Sequence, residues 1–188
     1  MSHGQGSWRA DEEVTGSGTG RLDALQRLWT PWRLAYIKDT DQQISGCVFC
    51  VLPARGRDHD RESLILHRGD RVFVVLNAYP YNPGHLMLVP YRHVADYDDL
   101  DTAEIHEVAE LAQRSVRALR ASSGPQAFNI GMNVGGMAGA GIADHIHQHV
   151  VPRWGGDTNF MPVIGQTRVL PELLEESYDR LAPAFRDA

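Results

Sequence analysis

The chain has 188 residues, 43% hydrophobic and 22% charged, with 18 basic against 24 acidic residues and a formal net charge of −6. That length suits one core of ordinary size. No run of about 18 apolar residues occurs, which excludes a helix that could span a membrane, and the negative net charge argues against a binder of nucleic-acid polymers working through bulk positive charge. Only two cysteines are present, Cys47 and Cys50, against nine histidines. Two cysteines build no disulfide framework, so metal or redox chemistry is the expected use of the C-x-x-C pair.

In chain order, residues 1–20 are Gly/Ser-rich and polar, without apolar periodicity or the apolar stretch of a secretory signal. They are read as a disordered tail on a cytoplasmic protein. Residues 21–63 are read as an N-terminal extension. Leu22, Leu25, Leu28 and Trp29 share a helical spacing there, Pro31 interrupts it, and a loop over residues 39–46 delivers the cysteines. Polar residues 53–62 read as loop. Leu64–His67 and Val72–Leu76 are predicted strands around an Arg-Gly-Asp turn. An irregular loop, Tyr79 to Gly84, precedes a third strand over His85–Val89. From Asp101 to Leu119 the period changes to 3.6, with Ile105, Val108, Leu111, Ala112, Val116 and Leu119 on one face and Asp101 or Thr102 as the cap. Ala127–Asn133 is a fourth strand, residues 134–143 a glycine-rich loop, His145–Val151 a fifth strand, and Leu170–Leu181 a terminal helix. The order predicts an α+β fold with a mostly antiparallel five-stranded sheet, one main helix and a C-terminal helix. Residues 64–169 form the expected catalytic domain and residues 170–188 the C-terminal helical segment.

The most informative stretch is His145-Ile146-His147-Gln148-His149-Val150-Val151. Side chains alternate along a strand, so the three histidines face one way, neighbours about 7 Å apart, with Ile146, Gln148 and Val150 on the other side. Such a row serves either a three-histidine metal site or nucleophilic catalysis by one imidazole that its neighbours orient. Gly135, Gly136, Gly139 and Gly141 precede the row, after Asn133. Bare backbone N–H groups suit an anionic oxygen, although no Gly-Lys-Ser/Thr makes this a P-loop. A phosphate held beside an imidazole is the combined reading.

HIHQHVV resembles the His-φ-His-φ-His-φ-φ signature of the histidine triad (HIT) superfamily, with Gln148 in one φ position. Val72 to His93, with its Pro-Gly-His and Pro-x-x-His, and Asn133-x-Gly135 extend the likeness over residues 64–152. LWTPWR (Leu28 to Arg33) and PRWGGDTNF (Pro152 to Phe160) resemble the branch that cleaves diadenosine tetraphosphate, as hydrolase or as phosphorylase (ATP adenylyltransferase). The resemblance implies that His147 is the nucleophile and forms a nucleotidyl-histidine. Its proton-bearing ring nitrogen would point at the carbonyl of His145. His149 would contact the phosphate or the bridging oxygen, and His85 would support the triad. Asn77 would meet the ribose hydroxyls. Asn133 and the backbone of Gly139, Ala140 and Gly141 would hold the α-phosphate. Ala-Gly-Ala-Gly stands here where many relatives carry Gly-Gln-Ser or Gly-Gln-Thr, so those side-chain donors are absent. A zinc-carrying subset of the family implies a structural Zn2+ on Cys47, Cys50, His93 and His145. Such a closed Cys₂His₂ set conflicts with a catalytic three-histidine zinc, because His145 is already claimed. The implied ligand is an adenine nucleotide such as a dinucleoside polyphosphate, and the implied assembly a homodimer. A nucleoside phosphoramidase and a nucleotide-binding regulatory module without turnover are the alternatives. Trp32 and Trp154 suit assembly, base stacking or simple packing. His3, His59, His67 and His106 receive no role.

Overall fold

A computed structural model describes residues 46–157 and 170–187. The tail, the helix expected at Leu22–Trp29, Trp32 and LWTPWR all lie outside the described residues, as does the end of PRWGGDTNF. Five strands form one antiparallel sheet: β1 (Ile65–Arg68), β2 (Val72–Leu76), β3 (Leu86–Pro90), β4 (Ala127–Met132) and β5 (Gln148–Arg153). Their spatial order is β1-β2-β3-β5-β4. Helix α1 (Val48–Ala54) precedes the sheet, α2 (Thr102–Ser123) connects β3 to β4, and α3 (Leu174–Asp187) follows β5. Among the described residues no helix is long and apolar enough to cross a membrane.

The sheet buries both faces differently. Val72, Val74, Leu76, Leu86, Leu88 and Val150 pack against Val108, Leu111, Ala118 and Leu119 of α2 and against Leu181 and Phe185 of α3. Phe73, Val75, Met87 and Val89 alternate to the opposite face, where Phe49 of α1 covers them. The central strands β2 and β3 therefore read as continuous apolar runs, because both of their faces are covered.

Boundaries moved where a local interaction outweighed the pattern. Cys47 and Cys50, which the expected loop over residues 39–46 delivers, sit at the start of helix α1: Cys47 is its N-cap residue, and its carbonyl accepts from Cys50 and Val51. A 3₁₀ turn at Arg57–His59 follows within the polar stretch. β1 starts one residue late because Leu64 takes a left-handed conformation, φ 58°. Asp101 caps α2 through a reciprocal pair with Glu104. Arg92 holds that glutamate, so Glu104 is buried while Ile105, expected on the inner face, is exposed. Gly124 in the left-handed region ends α2 four residues beyond the expected Leu119. α3 begins at Leu174, after the Pro171 segment and a Leu173 amide held by Glu176, and runs past Leu181. β5 begins only at Gln148, so His145 and His147 are extended chain ahead of the ladder.

Candidate functional site

β5 pairs with β3 through Met87 opposite His149. That register puts His149 on the α1 face and Val150 in the helix-covered core, as the alternation requires. Ahead of the ladder, the Ile146 amide donates to the Val94 carbonyl at 2.7 Å, and Ile146 packs with Val94 and Leu100. This contact keeps the chain extended, so the three imidazoles stay in a row. The His147 and His149 rings lie 4.8 Å apart at 75°.

Hydrogen-bond partners fix the state of each ring. His145 Nε2 lies 2.9 Å from the Pro90 carbonyl, which only accepts, so Nε2 carries the proton. Its Nδ1 lone pair faces the cysteines. His147 Nδ1 donates to the His145 carbonyl at 2.8 Å, which leaves the lone pair on Nε2. Burial pushes the His147 pKa below the ordinary histidine value, against the opposing effect of that carbonyl. The ring is therefore neutral near pH 7 and nucleophilic. His85 is fully buried, and its Nδ1 accepts from the Tyr81 backbone amide at 3.1 Å. Its proton is thus on Nε2, 2.9 Å from His149 Nδ1. His149 Nδ1 is then the acceptor, and in the neutral ring its proton sits on Nε2. Adjacent rings of the row present opposite faces: a lone pair from His147 and an N–H from His149.

His85 owes its position to Pro83-Gly84. Gly84 has φ 77°, and an added Cβ would lie 3.1 Å from Leu119 Cδ2, so only glycine turns the chain here. Asn77 is half-buried beside this turn. Its Oδ1 accepts from the Tyr79 amide at 2.9 Å and keeps a second lone pair, while Nδ2 lies 3.4 Å from His85 Nδ1. Asn133 flanks a cavity that His149 also lines. Gly139 and Gly141 are exposed and Ala140 half-buried on the loop between β4 and the histidines. Sequence reasoning missed three contributors. Phe49 packs on both His145, at 5.5 Å, and His147, at 4.9 Å. Tyr81 stacks on His85 at 4.8 Å and 27°. The Pro90 carbonyl sets the His145 tautomer. Phe49 was signalled by standing between two candidate ligands; a backbone carbonyl leaves no signal in sequence.

Cys47, Cys50, His93 and His145 converge, their ligand atoms all within 4.8 Å of one another. His145 Nδ1 lies 3.3 Å from Cys47 Sγ, 3.7 Å from Cys50 Sγ and 3.3 Å from His93 Nδ1, and Cys50 Sγ lies 3.4 Å from His93 Nδ1. A tetrahedral zinc with ordinary bond lengths needs N–N edges of about 3.4 Å and S–N edges of about 3.6 Å. The donors fit a metal ion. With no ion, burial and then Cys47 push the Cys50 thiol up; a bound cation acts in the opposite direction.

The HIT domain model matches residues 59–156. The AP-4-A phosphorylase of Mycobacterium tuberculosis is 43% identical over 179 residues, 92% of this chain and 90% of that protein. The chain belongs to the HIT family. Among solved HIT folds, a Zn-bound histidine triad protein from Mycobacterium smegmatis superposes with TM-score 0.61 at 29% identity, covering 76% of this chain and 94% of that one. The diadenosine triphosphate hydrolase of Plasmodium falciparum shares the fold, with TM-score 0.54 at 22% identity, over 66% of this chain and 77% of its own.

Proposed function

We propose that this HIT protein is a nucleotidyl-transferring enzyme that cleaves diadenosine tetraphosphate by phosphorolysis through a nucleotidyl-His147 intermediate. The observation that carries the reading is the pairing of ring states: a His147 Nε2 lone pair beside a His149 Nε2–H. The similarity to the M. tuberculosis AP-4-A phosphorylase supports the choice of substrate and of phosphate as acceptor.

The step balances as follows. The Nε2 lone pair of His147 forms a bond to the α-phosphorus while the bond from phosphorus to the bridging oxygen breaks. The departing nucleoside triphosphate takes that electron pair, its oxygen accepting a hydrogen bond from the His149 Nε2–H. An unprotonated oxygen of inorganic phosphate then attacks the α-phosphorus, and the P–N electron pair goes back to His147. Asn133 and the backbone of Gly139, Ala140 and Gly141 would hold the α-phosphate, and the second lone pair of Asn77 Oδ1 would meet the ribose. His85 acts through His149 and is a positioning residue.

Cys47, Cys50, His93 and His145 would hold a structural Zn2+, which, when bound, clamps α1 to the chain ahead of β5. His145 then serves that clamp with Nδ1 and the nucleophile with its carbonyl. We further infer a cytoplasmic homodimer with residues 64–169 as its catalytic domain; the exposed outer strand β4 supports the dimer.

The test is incubation with diadenosine tetraphosphate, with and without phosphate. Phosphorolysis gives ADP and ATP only when phosphate is present. AMP and ATP would mean hydrolysis, and no turnover would support a binding module. His147→Asn should abolish turnover, and activity retained above a hundredth would remove His147 as nucleophile.

A further inference from the structure

The cavity that Asn133 flanks, of about 550 Å³, opens beside His149 on the face that α1 shares. Its floor is the alternating outward residues of two strands: His149, Val151 and Arg153 from β5 and Asn129 and Gly131 from β4. Tyr81 forms part of its wall. The nucleotidyl-transfer reading uses only its near end, where His149 and Asn133 meet the reacting phosphate, and leaves the rest of the space without a task.

In an in-line displacement the leaving oxygen lies opposite the attacking nitrogen. His149, with its N–H donor, stands on the far side of the row from the metal cluster. The group attached to the leaving oxygen must continue past His149, and the cavity begins there. Along β5 it runs four residues, roughly 13 Å at strand rise, to Arg153. The chemistry of the lining changes along that path. Next to His149 stands the Tyr81 ring, 6.1 Å away and tilted by 37°. At the far end stands a guanidinium held by Asp157 through Nε at 2.6 Å and Nη2 at 2.9 Å, and bonded through Nη1 to Asn129 Oδ1 at 2.7 Å. That engagement occupies three of the five N–H groups of Arg153 and uses the Asn129 Oδ1, so the donors of the Asn129 amide nitrogen are not spent on Arg153. Phosphate oxygens and a nucleoside are the chemistry that such a groove fits: fixed donors for the anion and an aromatic plane for a base.

We propose that this cavity is the leaving-group subsite, which holds the nucleoside polyphosphate that departs from the α-phosphorus. Tyr81, Asn129 and Arg153 are its specificity-determining side chains. The proposal rests on the nucleotidyl-transfer reading and adds to it a discrimination by the size of the leaving group.

Gly131 supplies the probe. It faces His149 directly across the β4–β5 ladder, and an added Cβ would meet no atom within 4 Å. Gly131→Val therefore adds bulk to the cavity alone, with a residue that suits a strand. The two substrates are diadenosine tetraphosphate and adenosine 5′-phosphoramidate, which share the adenylyl group and differ in a bulky against a minimal leaving group. In Gly131→Val the ratio of kcat/KM for the first over the second should fall at least tenfold. Asn129→Ala, which removes a donor further along β4, should lower the same ratio at least threefold, and it decides the matter if Gly131→Val melts early. A ratio within twofold of wild type in both variants overturns the subsite. Failure of the wild type to turn over either substrate is a different result: it overturns the nucleotidyl-transfer reading beneath it.

Discussion

Replacing His85 by Phe tests the chain of ring states most directly. The ring volume and the stacking partner Tyr81 are preserved, while two hydrogen bonds disappear: the Tyr81 amide to Nδ1 at 3.1 Å and Nε2 to His149 at 2.9 Å. Without the second, nothing on β3 holds the proton of His149 on Nε2, and the leaving oxygen loses its positioned donor. One positioned hydrogen-bond donor to a developing oxyanion is worth about 10²–10³ in rate, or roughly 2.7–4 kcal/mol of barrier. The folded state loses less. One buried amide left without a partner costs about 1–3 kcal/mol, so Tm should fall by roughly 2–12 °C. The assay compares two adenylyl donors, diadenosine tetraphosphate and the p-nitrophenyl ester of AMP, whose departing oxygen spreads its charge into the nitrophenyl ring and depends less on a hydrogen-bond donor. In His85→Phe, kcat for the dinucleotide should drop at least a hundredfold and kcat for the aryl ester less than tenfold. Equal losses on both would refute the argument, because they would mean that His85 merely supports the position of His147.

Other consequences follow from the same geometry. With the proposed zinc site intact in the wild type, Cys47→Ser should lower the zinc measured per chain and lower Tm; at a free metal concentration of about 100 Kd the lost stabilisation is about 2.7 kcal/mol, or roughly 5–11 °C. Asp101→Ala breaks the reciprocal cap of α2. It should cost about 1 kcal/mol and leave kcat unchanged, read by denaturant unfolding beside a turnover assay. His67 stacks on Phe185 of α3, and its Nε2 faces Arg114 at 3.3 Å. Burial first and the Arg114 charge second lower its pKa, with Glu107 opposing and Arg57 adding. The folded protein then binds this proton less readily than the unfolded chain, so the contribution is full above the unfolded value of about 6.5 and is lost as pH falls below it. Tm measured from about pH 7.5 down to about 5.5 should fall less steeply in His67→Gln than in wild type. Equal slopes would show that His67 titrates alike in both states.

The centre of the sheet was legible because β2 and β3 are apolar runs bounded by Gly, Pro and Asp, and α2 because its period and its Asp-x-x-Glu cap agree. α1 was not. Its seven residues include Pro53 and two cysteines. Local propensity for a helix there is weak, and the segment gains its stability from Phe49 packing under β2 and β3. The row of histidines was legible from alternation alone, yet the reason was only half right. His145 and His147 are not in the ladder; the Val94 carbonyl and the Pro90 carbonyl hold them in line. Both partners are backbone atoms from a different strand or loop, and no residue type announces them. The metal cluster was legible only through resemblance, since its four donors are separated by up to 98 positions in the chain.

The site's logic lies in which partner each imidazole meets on its far side. An imidazole has two nitrogens, and a partner that can only accept or only donate decides which one holds the proton. Pro90 and His145 contribute carbonyls, so His145 and His147 protonate at the nitrogens facing them. Tyr81 contributes an amide, so His85 does the reverse, and His149 inherits its state through His85. Main-chain groups cannot titrate near pH 7, and their directions are fixed by β3 and by the turn at Gly84. The opposite characters of His147 and His149 therefore do not depend on a pKa difference between two similar rings. They follow from the order in which a carbonyl and an amide are presented along the same sheet, and this is why a conservative change at His85 should affect the leaving-group step more than the nucleophile.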